Sequence, residues 1–410
     1  MTLSAKGVEG VRGVLEDFVK DGSPGLVFTA TDKSGKILVE HAAGNLGVES
    51  QEPLDSDTIF WIASCTKLVT VVAVLQLVEQ GKIPLDDTEF VKKVTPEIAQ
   101  KQVYADGVNG APQERDVTVR MLLAHTAGFG YSFIDLRCPS AAGGDIEGLT
   151  GNKDDILNAR LVNQPGSMWE YGINIDWAGI VLERVTGQSL GAYFAEHIFQ
   201  PLGITPEGAS MFPSPQAQKN LAHMHQRDAD GQLKEREHIC IGPLQAQTTD
   251  AQKEFFNAGG GGLWTKPKEY IKILAAILNN GTSPTTGNRI LKSDTVDLLW
   301  ENQIPDQPDF ARAGLPPANP LLIKQAPEMY PQPGNPPQGW AFGGFLTIEP
   351  GPSGRGANTL WWMGLPNCFW WIDREKGVAG FIASQVLPNG DPKVIPAWFM
   401  AEKTIYDHLE

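Results

Sequence analysis

Two serines in this chain stand in company that could perform acyl transfer. That chemistry needs a nucleophile, a group to take its proton, and donors for the oxyanion. The first candidate opens Ser64-Cys65-Thr66-Lys67, which is the single Ser-x-x-Lys of the sequence. If Ser64 starts a helix, residues three apart share a face, and the lysine amine comes within reach of the hydroxyl. A lysine has a reference pKa of ~10.4 and must be desolvated, or set beside another cation, to act as a base near neutral pH. The apolar flanks Phe60-Trp61-Ile62-Ala63 and Leu68-Val69 supply desolvation. Read by itself, the motif is equally that of a capping serine followed by a solvated first-turn lysine. The second candidate is Gly187-Gln188-Ser189-Leu190-Gly191, a Gly-x-Ser-x-Gly. That motif works on a strained strand-to-helix turn. Here a helical run over 175–185 precedes it and another helix follows, so Ser189 reads as a helix N-cap after a glycine turn.

The elements that must position these serines follow from periodicity and turn chemistry. The N-terminus reads as an amphipathic helix with Val8, Val11, Val14, Leu15, Phe18 and Val19 on one stripe. Strand-like runs at 25–30 and 36–41 flank the turn-rich Thr31-Asp32-Lys33-Ser34-Gly35, which predicts a hairpin. A short apolar stretch at 57–62 leads into Ser64. Leu and Val at helical spacing over 67–80 end at Gly81. From there to about 244 the pattern is helices, among them 117–125 and 175–185, and long loops. The loop over 131–152 has the composition of a lid or site rim. Four consecutive glycines at 259–262 read either as a flexible turn or as backbone that passes close to something else. An amphipathic helix is expected over 267–278. Residues 305–337 carry ten of the chain's 30 prolines, which excludes regular structure there. Strand-like runs at 340–348, 359–363, 368–372 and 378–386 form an antiparallel meander. A closing helix spans 395–408. Strands and helices at both ends around a helical middle predict an α+β fold: an antiparallel sheet flanked by helices, with an inserted helical domain. The sheet domain is expected to be discontinuous, 1–62 and 245–410, around a mainly helical 63–244, with the active site between them.

Order and spacing of several motifs decide between the serines. Downstream of Ser64 lies Pro165-Gly166-Ser167-Met168-Trp169-Glu170-Tyr171-Gly172-Ile173-Asn174-Ile175-Asp176-Trp177-Ala178-Gly179, and near the C-terminus Trp362-Met363-Gly364-Leu365-Pro366-Asn367. Leu122-Leu123-Ala124-His125-Thr126-Ala127-Gly128 and Gly81-Lys82-Ile83-Pro84-Leu85-Asp86-Asp87 join them, with the glycine run leading into Leu263-Trp264-Thr265. Across nearly its whole length the chain resembles the serine β-lactamase and penicillin-binding superfamily. Within it, the chain looks most like class C-related esterases (family VIII carboxylesterases) and fungal acyltransferases of the lovastatin type.

The resemblance implies a β-lactamase/transpeptidase-like fold and a division of labour. Ser64 attacks the acyl carbonyl, Lys67 helps remove its proton, and Tyr171 exchanges protons with nucleophile and leaving group. A free tyrosine has a pKa of ~10, so a neighbouring ammonium is needed to lower it. The backbone N–H groups of Ser64 and Leu365 become the oxyanion donors. Tyr131 matches a position lining the acyl site in the fungal acyltransferases, and Trp362, Met363 and Gly364 occupy the strand that faces the substrate. His125 falls at a structural turn, so it is expected to be a satisfied, non-catalytic histidine. Two departures stand out. The residue two after Tyr171 is Ile173, with Asn174 displaced by one, where penicillin-recognising enzymes have Tyr-x-Asn. Their Lys-Thr-Gly strand reads Trp362-Met363-Gly364 here, without a cation. Both changes remove groups that bind a carboxylated amide, and both favour a neutral, apolar ester or thioester. The tryptophans 169, 361, 362, 370 and 371 agree with that, although alternate strand tryptophans also face a core.

The function expected is therefore a serine esterase or acyltransferase working through a Ser64 acyl-enzyme. Its partners are a small-molecule ester or thioester donor, with an acyl carrier among the candidate donors, and water or an alcohol as acceptor. The alternatives are a residual β-lactamase or D-alanyl peptidase, a silent binding protein on the same scaffold, and an α/β-hydrolase using Ser189. Composition sets the outer bounds. A hydrophobic fraction of 41% and a charged fraction of 20% over 410 residues are those of a folded protein. A formal net charge of -15 repels phosphate backbones, so no nucleic-acid partner is expected. No apolar run approaches the ~20 residues of a membrane-spanning helix, so no membrane partner is expected. No secretion signal is visible, and a cytosolic location is the default. Cys65, Cys138, Cys240 and Cys368 are too widely spaced for a disulfide framework or zinc site. His223 and His225 form a lone His-x-His without a nearby third ligand. No metal or organic cofactor is implied.

Overall fold

In a computed structural model, residues 1–139, 146–312, 317–324 and 335–410 are described. Part of the 131–152 loop and part of the proline-rich 305–337 excursion lie outside them. The N-terminal part supplies strands β1 (Gly25–Asp32), β2 (Ile37–Gly44) and β3 (Phe60–Trp61). The middle adds β4 (Ala209–Ser210), β5 (Met224–Arg227), β6 (Leu233–Arg236) and β7 (Trp264–Thr265). The C-terminal part adds β8 (Gln338–Ala341), β9 (Gly344–Thr347), β10 (Thr359–Gly364), β11 (Cys368–Asp373), β12 (Val378–Ala383) and β13 (Val386–Leu387).

Both ends of the chain build one antiparallel sheet in the order β2-β1-β12-β11-β10-β9-β8. Every residue of β10, β11 and β12 is buried, so both faces of the sheet are covered. Helices α1 (Ala5–Lys20) and α7 (Val394–Asp407) pack together over one face. There Trp371 Nε1 donates to the Tyr406 hydroxyl at 3.1 Å, and the Trp361 ring meets Trp398 at 5.7 Å between centroids. The alternate positions, Trp362 and Trp370, are cross-strand partners on the opposite face. Helix α6 (Pro267–Leu278) lies against that face, with Tyr270 4.7 Å from Phe381.

The helical part is organised around α2 (Thr66–Glu79), which is buried from Thr66 to Leu77 without a polar face. A helix that is apolar all round must be surrounded. It is, by the sheet turn before it and by α4 (Asn174–Thr186) and α5 (Leu190–Phe194); α3 (Val119–Leu123) packs in turn on α4.

Three expectations are corrected. The stretch up to 244 is not only helices and loops: β4 pairs with β7, and β5 and β6 pair with each other. These strands are two to four residues long and polar, with Met224-His225-Gln226-Arg227 showing no apolar alternation, so periodicity misses them. The run 340–348 is a hairpin, because Gly343 at φ 86° turns the chain between β8 and β9. The run 378–386 divides, and β13 leaves the large sheet to pair in parallel with β5. Among the described residues, no helix is long and apolar enough to cross a membrane.

Candidate active site

Ser64 sits where β3 turns into α2. The turn is tight: Ala63 has φ 42°, a left-handed conformation uncommon for a residue with a Cβ. Ser64 lies in a 3-10 turn, Ala63–Cys65, one step before α2 begins at Thr66. Over 61–67 every residue except Ser64 is buried. The turn is tied down by Thr66, whose Oγ1 donates to the Ala63 carbonyl at 2.6 Å and accepts the Leu263 N–H at 3.0 Å.

The glycine run is the second wall. Its carbonyls accept from the first: Thr70 Oγ1 to Gly259, Lys67 Nζ to Gly260 and Trp61 Nε1 to Gly261, each at 2.7 Å. A Cβ on Gly260 would stand 2.3 Å from Asp176 Oδ2, so the carboxylate would have to shift to admit it. Close passage of backbone, rather than a flexible turn, is what these glycines provide.

Lys67 is fully buried. Its Nζ donates to Ser64 Oγ at 3.0 Å, to the Tyr131 hydroxyl at 3.1 Å and to the Gly260 carbonyl. It also stands 4.7 Å from the centroid of the Tyr171 ring. Burial pushes its pKa well below the ordinary lysine value, against the pull of the Asp176 carboxylate, which raises it. Burial pushes Asp176 in the opposite sense, upward, against the lowering effect of Lys67. Tyr131 is pushed up by burial and then by the Asp176 charge.

Tyr171 lies just before α4, in a segment held by the turn after α3. The Glu170 N–H donates to the His125 carbonyl at 2.8 Å, and the Gly166 N–H to the Thr126 carbonyl at 2.7 Å. The Tyr171 hydroxyl accepts from Trp362 Nε1 at 2.9 Å. Thus β10 directs an indole N–H at the tyrosine oxygen. Gly364 serves proximity: its Cβ would lie 2.2 Å from the Ile62 carbonyl, so β10 can press against the backbone leading to Ser64. Gly364 does not itself line the cavity, whereas Trp362, Met363 and Leu365 do.

That cavity measures about 380 Å3 and has Ser64, Tyr131, Tyr171 and Asp176 in its walls. Phe133, Leu149, Trp169 and Phe310 make most of its lining apolar, and Glu147, Arg312 and Lys324 also stand in its walls.

Of the other candidates, His125 packs against the Tyr171 ring at 4.8 Å between centroids, and Ser189, His223 and His225 stand elsewhere. His125 is buried in the turn, with Nδ1 facing the Gly172 N–H at 3.4 Å and Asn174 Nδ2 at 3.1 Å. Burial, then the nearby Lys67 charge, pushes its pKa well below the usual histidine value. The expected structural histidine is satisfied on one nitrogen; Nε2 has no hydrogen-bond partner among the described residues. Asn174 also donates to the carbonyls of Phe129 and Glu170, so it braces the turn. Ser189 caps α5, accepting from the Ala192 N–H, after Gly187 at φ 73°. His223 pairs with Glu235 at 3.0 Å, and His225 Nε2 accepts the Val48 N–H at 3.1 Å.

Sequence reasoning missed Asp176, Phe133 and Phe310. Asp176 had one signal: it is the acidic residue in an otherwise apolar, buried helical run five positions after Tyr171. Phe133 had the weak signal of its place in the 131–152 loop, two residues after Tyr131, and Phe310 had none, since it enters from the proline-rich stretch.

Residues 11–404 match the family model described as Beta-lactamase. A lovastatin esterase from Penicillium rubens is 32% identical over 387 residues, covering 90% of each chain. A monacolin J acid methylbutanoyltransferase from Aspergillus terreus is 30% identical over 395 residues, covering 90% of this chain and 88% of that one. Among solved structures, unliganded simvastatin synthase (LovD) from Aspergillus terreus superposes with a TM-score of 0.79 at 27% identity, covering 99% of both chains.

Proposed function

The chain belongs to the β-lactamase family, and we propose that within it the protein is a serine esterase or acyltransferase that passes the acyl group of a small, apolar ester or thioester through Ser64 to water or an alcohol. One observation carries the reading: a buried lysine amine 3.0 Å from the hydroxyl of a serine that opens into a mainly apolar cavity.

In the first step Ser64 Oγ bonds to the acyl carbon, and the serine proton passes to the Lys67 amine. The N–H groups of Ser64 and Leu365 hold the oxyanion, and losing one such donor typically costs ~2.7–4 kcal/mol. The bond to the leaving oxygen or sulfur then breaks as the proton held by Lys67 is passed through Tyr171 to that atom. In the second step water or an alcohol gives up a proton along the same route, bonds to the acyl carbon and releases Ser64. Lys67 Nζ lies 4.7 Å from the centroid of the Tyr171 ring and the Trp362 N–H donates to the Tyr171 oxygen, so both reach the group that passes the proton. Met363, Leu365 and Tyr131 border the acyl group. An acyl carrier is one candidate thioester donor. The names of the relatives, a lovastatin esterase and a methylbutanoyltransferase, support ester hydrolysis and acyl transfer. The reading includes a discontinuous sheet domain, 1–62 and 245–410, around 63–244, with the cavity walls drawn from both. It also includes a cytosolic setting, which four unpaired thiols suit.

The test is intact-protein mass spectrometry after brief exposure to short-chain p-nitrophenyl esters or acyl thioesters. An acyl adduct is expected on the wild type and on Ser189→Ala, and none on Ser64→Ala. Faster decay of the adduct with added alcohols marks a transferase, and decay indifferent to them an esterase. Equal labelling of the wild type and Ser64→Ala would overturn the assignment of the nucleophile.

A further inference from the structure

Asp176 takes no part in the steps above, yet it is built into the same cluster. It projects from α4 and is 1% exposed. Its Oδ1 accepts the Gly260 N–H at 2.9 Å, while the carbonyl of the same glycine accepts from Lys67 at 2.7 Å. Its Oδ2 stands beside the Tyr131 hydroxyl, whose pKa is raised by burial and then by the Asp176 charge. That oxygen and the Tyr131 hydroxyl lie 2.3 Å and 2.9 Å from where a Gly260 Cβ would stand, so they flank the same side of the glycine. The Tyr131 hydroxyl in turn receives a hydrogen bond from Lys67. Lys67, Gly260, Asp176 and Tyr131 therefore close a ring behind Ser64.

A buried carboxylate is costly unless an opposite charge and hydrogen bonds compensate it. Lys67 is the cation whose field acts on Asp176, and Asp176 is the leading charge acting on Lys67. Other titratable groups surround the pair. Lys67 also meets Tyr131 and Tyr171 from the loops, and exchanges field with Cys65 from its own turn and with His125. Asp176 also feels Glu147 and faces Tyr131. Of these neighbours, Asp176 lies closest to being a dedicated counter-charge, because it is tied through Gly260 to the atom that holds the lysine amine.

We propose that Asp176 is a positioning residue for acyl transfer: through Gly260 it fixes where the Lys67 amine stands against Ser64, and its negative charge governs how readily that amine keeps a proton. The proposal rests on the Ser64–Lys67 reading. The neutral amine is the form that accepts the serine proton. A carboxylate nearby favours the ammonium, so removing its charge lets Lys67 lose its proton at lower pH.

Three variants separate charge from geometry. Asp176→Asn keeps an oxygen for the Gly260 N–H and removes the charge. The acidic limb of the acylation rate, read as adduct formation on Ser64 against pH, is expected to move to lower pH by about 1–3 units. Asp176→Glu keeps the charge, and its limb should return toward the wild type while the rate stays reduced by the altered reach. Should Asp176→Asn fail to fold, Gly260→Ala makes the same test, because its Cβ displaces the Asp176 carboxylate and should move the limb in the same direction. Melting temperatures are recorded beside each profile, since a merely structural role lowers them without moving the limb. An acidic limb in Asp176→Asn, or in Gly260→Ala in its place, that coincides with the wild type, on an adduct still lost in Ser64→Ala, overturns the proposal and leaves the nucleophile intact. An adduct that survives in Ser64→Ala sinks the serine reading instead.

Discussion

Ser64 and Ser189 both stand at the start of a helix inside a motif associated with nucleophilic serines, and they have opposite fates. Ser189 has an extended backbone, φ -66° and ψ 150°, and spends its hydroxyl on the Ala192 N–H of its own helix. Its side chain is exposed. Ser64 follows a left-handed Ala63, stands outside the helix proper, and directs its hydroxyl to a buried amine. A serine that caps a helix has its oxygen engaged by the backbone. A serine lifted off the helix by a strained turn has it free for chemistry, and such strain persists where surrounding structure enforces it. Here the enforcement is visible in Thr66, in the glycine run and in Gly364 pressed on Ile62.

The widest gap between the two turns should appear on deleting each hydroxyl. Ser64→Ala is expected to lower esterase activity by on the order of 10^4-fold or more, the scale seen when a covalent nucleophile is removed. Ser189→Ala should leave it within a factor of about two. A steady-state assay with p-nitrophenyl esters measures both, and a reversal would exchange the roles of the two turns.

Lys67→Met sharpens the comparison, since Ser189 has no buried amine. Acylation should fall by about 10^2–10^4-fold, the usual range for a positioned proton acceptor. Stability should change in a pH-dependent way. The folded-state pKa of Asp176 is raised, so its contribution is fullest below the unfolded carboxylate value and shrinks as pH rises through the folded one. Without Lys67 it shrinks further. The melting-temperature gap between wild type and Lys67→Met should therefore widen with rising pH and narrow toward pH ~4. The lowered Lys67 value widens the gap in the same direction, so a gap independent of pH would count against both shifts.

Much of this site is legible in the sequence. The Ser64–Lys67 spacing is a local property of one helix start, and a glycine run announces close backbone approach. The remainder is non-local. Asp176 reaches Lys67 from α4, and Phe310 enters from the proline-rich stretch, where periodicity carries no signal. The sheet was legible where strands are apolar, as in β10 to β12, and illegible in β4 to β6, whose few polar residues carry no alternation.

Trp362→Phe keeps a ring at the strand position and removes the N–H that points at the Tyr171 oxygen. Hydrogen bonds to charged groups contribute about 1.5–3 kcal/mol. If Tyr171 carries negative charge during the reaction, kcat should fall by roughly 10–100-fold, while KM for small esters changes little. A raised KM at constant kcat would make the indole a wall of the pocket and nothing more.

The smallest effect returns to Ser189. If its hydroxyl is a cap, Ser189→Ala should lower unfolding free energy by about 1 kcal/mol, Ser189→Asp should retain most of the wild-type value, and Ser189→Gly should cost a few tenths. That ranking, Asp above Gly above Ala, belongs to capping and to no nucleophile. Denaturant titrations of the three variants, read with labelling on Ser64 unchanged throughout, decide it. A stability indifferent to the side chain at 189 would leave the exposed hydroxyl without a structural task and reopen the Gly-x-Ser-x-Gly turn as a site.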